Sequence, residues 1–113
     1  MTRCTCKPGD ECENCFTANI LELAGLQGWW AFRFPTWRAT CTAPGVPDLW
    51  LLRPPELVVI EAKRDGKTLT PAQAEWLDGL SHVTEVDTFC FSPRHWLLIE
   101  AALKRDSGKV LGN

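Results

Sequence analysis

Gly45-Val46-Pro47-Asp48-Leu49-Trp50-Leu51-Leu52-Arg53-Pro54-Pro55-Glu56-Leu57-Val58-Val59-Ile60-Glu61-Ala62-Lys63 is the stretch that decides the fold. Residues 48–53 and 56–63 read as two strands around a Pro54-Pro55 turn. The run Leu57-Val58-Val59-Ile60 is apolar without alternation, which suits a central strand covered on both faces. A hairpin turning at the two prolines pairs Arg53 with Glu56. Counted outward, the same register sets Asp48 opposite Glu61. Directly opposed side chains lie about 5 Å apart on one face. A slip of one residue would break that pairing.

The flanking sequence supplies the other elements. Phe16, Ile20, Leu23 and Ala24 recur at helical spacing and predict a helix over 13–27, with Asp10 as its N-cap and Gly28 as its stop. Residues 29–34 read as a strand, and 35–47 as a mobile loop rich in Pro and Gly. Residues 64–69 form a polar loop, and Thr70-Pro71 opens a helix over 71–81 with Trp76, Leu77 and Leu80 as its buried stripe. A strand over 84–91 and a helix over 93–104 follow, the helix turning Trp96, Ile99 and Leu103 inward. The order αβββαβα predicts an α/β fold, a mixed four-stranded sheet flanked by helices. The expected division is a Cys-rich segment over 1–12, one domain over 13–106 and a frayed tail over 107–113.

Bulk properties set limits. The 113 residues suffice for one domain, and 45% hydrophobic content supplies one core. There is no window long and apolar enough for a membrane span and no apolar leader at the N-terminus, so the expected location is the cytoplasm. A net charge of −2 argues against a protein that coats DNA by bulk electrostatics. Carboxylates gathered at a metal would count toward that charge.

The opposed pair Asp48 and Glu61 carries the chemistry. Two such carboxylates repel, and a divalent cation between them removes the cost. Magnesium or manganese suits a site of oxygen ligands with room for water and phosphate. Lys63 is two residues beyond Glu61, hence on the same face, where it can orient a water or offset transition-state charge. The competing reading is an ordinary Asp–Lys or Glu–Lys pair on a solvated sheet face. Gln73 lies on the inward stripe of its helix, three residues before Trp76. Its spacing from Thr70 equally fits a capping box. Glu13 faces inward on the first helix, and its spacing from Asp10 reads as a cap.

These residues resemble a known family. Gly45-Val46-Pro47-Asp48-Leu49-Trp50, Glu61-Ala62-Lys63 and Leu69-Thr70-Pro71-Ala72-Gln73-Ala74-Glu75-Trp76-Leu77 come in the order and spacing of the VRR-NUC nucleases, a branch of the PD-(D/E)XK superfamily. The resemblance covers roughly residues 13–104 and implies a restriction-endonuclease-like fold. It implies metal binding by Asp48, Glu61 and the main-chain carbonyl of Ala62, and catalytic roles for Lys63, Gln73 and Glu13. It also implies a magnesium-dependent deoxyribonuclease. Small stand-alone proteins of this kind are often phage-encoded homodimers that cut branched DNA such as Holliday junctions, which would place this one in a bacterial host cell. The segment Phe91-Ser92-Pro93-Arg94-His95-Trp96 departs from the family's pattern before the last helix. Arg33, Arg38, Arg64, Lys67 and Arg94 are candidate contacts to DNA phosphates, with ordinary solvated charge as the alternative.

Cysteines add a separate feature. Cys4, Cys6, Cys12 and Cys15 offer four thiolates within twelve residues, and Cys12-x2-Cys15 has zinc-knuckle spacing. The alternatives are free thiols, or disulfides, which a reducing cytosol disfavours. Cys41 and Cys90 read as small core hydrophobes. A second functional class follows: a non-catalytic, zinc-containing nucleic-acid-binding module on a nuclease fold. Intact Asp48, Glu61 and Lys63 favour the enzyme.

Overall fold

The computed structural model describes residue 6, residues 11–34 and residues 44–104. Arg38, Cys41 and most of the expected mobile loop lie outside the described residues, as do Cys4, Asp10 and the C-terminal tail. The elements run α1 (Glu13–Leu26), β1 (Trp30–Arg33), β2 (Leu49–Arg53), β3 (Glu56–Ala62), α2 (Pro71–Ser81), β4 (Val86–Phe91), a 3₁₀ turn (Pro93–His95) and α3 (Trp96–Lys104). They build an α/β fold whose four-stranded sheet has the order β1-β2-β3-β4. β1, β2 and β3 pair antiparallel, while β4 joins β3 in parallel after the α2 crossover. None of the described helices is long and apolar enough to cross a membrane.

The hairpin register is the expected one. Leu49 pairs with Ile60 and Arg53 with Glu56. Alternation then divides the sheet into two faces. Leu49, Leu51, Val58, Ile60 and Ala62 point to one face and are fully buried. They meet Phe16, Ile20 and Ala24 of α1 and Ile99 and Leu103 of α3 in one core. Trp29 precedes β1 and closes the end of this core, its indole Nε1 donating to the Leu103 carbonyl at 2.9 Å. The Arg53 guanidinium lies 4.3 Å from the centre of that ring.

The opposite face is covered unevenly. α2 packs on it beside β4. Toward β1, Trp30 and Phe32 are 67% and 57% exposed.

Several local expectations need correction. The N-cap of α1 is Cys12, with no side-chain cap bond, so Glu13 is the first helical residue. A residue at that position cannot close a capping box with Asp10, which requires the third helical position. Cys90 is exposed, because β4 is an edge strand. Trp76, Leu77 and Leu80 are only half-buried, and Glu75, Trp76, Gly79 and Leu80 line a shallow surface depression. The last helix begins as a 3₁₀ turn, in which Ser92 N–H donates to His95 Nδ1 at 2.9 Å. That local cap occupies His95 and gives the divergent Ser92–His95 segment a structural role.

Candidate metal and catalytic site

Asp48 and Glu61 flank the hairpin at its open end, one step beyond the Leu49–Ile60 pair. Both are buried, at 8% and 2% exposure. Extending the register sets them opposite each other on the face that carries α2. Burial lifts the Glu61 carboxyl from its ordinary 4.5 to about 8, and the charge of Asp48 adds to the rise while Lys63 opposes it. Burial likewise lifts Asp48 from 3.8 to about 6, helped by the charge of Glu13 and opposed first by a backbone hydrogen bond from Ala62, then by the charges of Arg33 and Lys63. The charge of Glu13 thus bears on both carboxylates.

Gln73 performs both of the roles its spacing allowed. Thr70 N–H donates to Gln73 Oε1 at 2.9 Å, and Gln73 N–H donates to Thr70 Oγ1 at 3.1 Å, which closes the capping box. The amide nitrogen Nε2 then donates to Glu61 Oε2 at 3.1 Å. The cap consumes the carbonyl end of the amide, which leaves its only donor end for Glu61. The second oxygen, Glu61 Oε1, is buried and has no hydrogen-bond partner among the described residues. A buried acceptor of that kind is costly unless something electropositive meets it.

Lys63 follows directly after β3, its N–H bonded to the Phe91 carbonyl at 2.9 Å. This bond anchors its backbone to β4, and its charge acts on both carboxylates. Arg33 acts on Asp48 from the end of β1, where its Nη2 is held by Asn14 Oδ1 at 2.6 Å. Arg64 and Lys67 are exposed in the loop after β3. Arg94 Nε lies 4.0 Å from Asp65 Oδ1. These three cations are not drawn into the carboxylate cluster.

Two contributors escaped the sequence reading. Asn14 holds Arg33 toward Asp48, and nothing in the sequence separates it from any polar residue of a first helical turn. Gly45 has φ 87, and a Cβ there would come within 2.5 Å of the Ala72 backbone. The turn leading to Asp48 is thus pressed against the first turn of α2, beside Gln73. The Pro44-Gly45 pair signalled a turn, but not this contact.

No family model matches the chain, and neither a curated protein nor a solved structure matches it.

Proposed function

We propose that the chain is a metal-dependent endonuclease of the PD-(D/E)XK kind with a restriction-endonuclease-like fold, as its resemblance to the VRR-NUC nucleases implies. The observation that carries this reading is the paired burial of Asp48 and Glu61 with Glu61 Oε1 unpartnered among the described residues. The oxygens of Asp48 and Glu61, with the Ala62 carbonyl, fit a magnesium or manganese ion. Such an ion supplies Lewis acidity toward a phosphate oxygen and lowers the pKa of a bound water.

The chain's own residues supply the rest. Lys63 places a compact cation beside the carboxylates, where it can hold the attacking water or stabilise charge growing on the phosphate. Gln73 donates to Glu61 Oε2 and so fixes its rotamer, as supporting residues do for metal-binding carboxylates. Glu13 adds negative charge at the edge of the site and disfavours a second anion until a cation is bound. Arg33, and the exposed Arg64 and Lys67, are the cations that would meet the DNA backbone, contacts that position a duplex without reading its sequence.

The proposed substrate is DNA, with branched forms as the candidate class, and a homodimer would let one site per chain cut two strands. The test incubates the purified chain with magnesium or manganese and a panel of linear, flapped and four-way-junction DNAs. Cleavage that appears with the cation and vanishes with chelator is the expected result. Binding without cleavage on every substrate with either cation would favour the non-catalytic module.

A further inference from the structure

A second group of side chains converges away from the acidic pair. The sulfurs of Cys6, Cys12 and Cys15 all lie within 4.8 Å of one another. Cys12 is the N-cap of α1 and Cys15 lies in its first turn, while Cys6 arrives from the preceding segment. All three are half-buried. The backbone N–H of Cys12 donates to the Cys6 sulfur at 3.3 Å.

Each of these features fits one chemistry. Sulfurs bound to a single zinc ion at about 2.3 Å in a tetrahedron are roughly 3.8 Å apart, so this cluster could close on an ion with small side-chain movements. A thiol is a weak hydrogen-bond acceptor, whereas the anionic sulfur of a metal thiolate is a good one, and amide bonds to such sulfurs support many sites. The two-residue gap between Cys12 and Cys15 is a usual spacing for a zinc ligand pair. Soft sulfur ligands select zinc over magnesium, so the thiolates and the carboxylates would not compete for one ion.

We propose that Cys6, Cys12 and Cys15 are three ligands of a structural zinc ion that fixes the first turn of α1. The consequence reaches the acidic site. Glu13 and Asn14 lie between the two helical ligands. Glu13 is the residue whose charge bears on Asp48 and Glu61, and Asn14 holds Arg33. A metal at the cysteines therefore sets where both residues stand. The cysteines, and not the nuclease reading, carry this inference.

The test uses the full chain purified without chelator, first for metal content and then after exchange of zinc for Co²⁺. About one zinc per chain is expected, and the Co²⁺ form should show thiolate-to-metal charge transfer and the intense visible bands of tetrahedral coordination. Cys12→Ser and Cys15→Ser should lose this signature, and Cys90→Ser should keep it. Cys6→Ser, placed outside the helix, gives the same reading if the helical variants fail to fold. Charge transfer that is absent in the wild type, or that persists in the ligand variants, overturns the site. Amide exchange measures the bracing role. The Phe16 N–H bonds the Cys12 carbonyl at 2.9 Å, and its exchange should speed up when zinc is removed. An unchanged Phe16 rate after complete removal would overturn that role. None of these readouts depends on DNA cleavage, so the site and the nuclease reading can fail separately.

Discussion

Ile60 and Glu61 are neighbours on β3 and are almost equally buried, at 0% and 2% exposure, yet they face opposite sides of the sheet. Ile60 meets the apolar core under α1 and α3. Glu61 meets the charge and the backbone of Asp48 and the side-chain amide of Gln73, and its Oε1 is without a hydrogen-bond partner among the described residues. Burial stabilises the first residue by removing apolar surface from water. It destabilises the second, because a charge loses its hydration without full compensation. One strand thus carries both the fold and a strained site, and its alternation keeps the two apart.

Substitution on each face should break the comparison in opposite directions. Ile60→Ala should cost roughly 2–5 kcal/mol of stability through lost contacts and a cavity. Asp48→Asn and Glu61→Gln should abolish cation-dependent cleavage while leaving the metal-free protein at least as stable as the wild type, since each removes one of two repelling charges. Thermal denaturation and a cleavage assay on the three variants decide the point. Wild-type cleavage by Glu61→Gln would remove it from the site.

A smaller loss is expected at Lys63. Lys63→Ala should still bind manganese but lose roughly 10²–10³ in rate, the scale of one electrostatic contact to the transition state. Lys63→Arg should restore little, because a planar fork does not replace a compact ammonium. Calorimetric titration with manganese, set beside single-turnover kinetics, separates binding from rate. Weakened manganese binding with unchanged turnover at saturating manganese would reverse the assignment.

Smaller again is the effect at Gln73, where two roles must be separated. Thr70→Ala removes the cap alone and should cost about 1 kcal/mol with little loss of activity. Gln73→Ala removes the cap and the bond to Glu61, and should lower activity or metal affinity a further roughly 10–100-fold. Equal activity in the two variants would reduce Gln73 to a cap.

The register of the β2–β3 hairpin was legible because the two prolines mark the turn and every later pair follows by counting. That alone brought Asp48, Glu61 and Lys63 to one end of one face. Gln73 was legible only as an ambiguity, since its spacing from Thr70 and its place on the inward stripe do not conflict. Two ends of one amide serve both. The start of α1 at residue 13 agrees with the sequence, but its cap does not: Asp10 is the better capping residue by type, whereas the N-cap is Cys12, a member of the cysteine cluster. Cys90 was misplaced because composition does not show which strand forms an edge. The approach of Gly45 to Ala72 joins residues far apart in sequence, and no local pattern encodes it.

The subtlest difference between the faces is how stability responds to protons. The buried apolar core holds no titrating side chain among the described residues, whereas the site face has two carboxyls whose proton affinities are raised by folding. Asp48 moves from 3.8 to about 6 and Glu61 from 4.5 to about 8. The folded chain therefore holds more protons than the unfolded chain between those limits, and its stability falls as pH rises through them. Below pH 3.8 both states are protonated and the penalty is absent; above about 8 it is fully present. In chelator, the wild-type melting temperature should drop by several degrees between pH 5 and pH 8 relative to Glu61→Gln, which lacks the larger of the two shifts. Adding manganese should flatten the slope, because a bound cation stabilises both carboxylates in their charged form. The same linkage should make manganese affinity rise with pH, as each proton must leave before the ion can bind. A wild-type curve parallel to that of Glu61→Gln in chelator would mean that folding does not raise the Glu61 carboxyl, either by burial or by the charge of Asp48. The site would then lose the strain that a cation relieves, though the fold would keep its core.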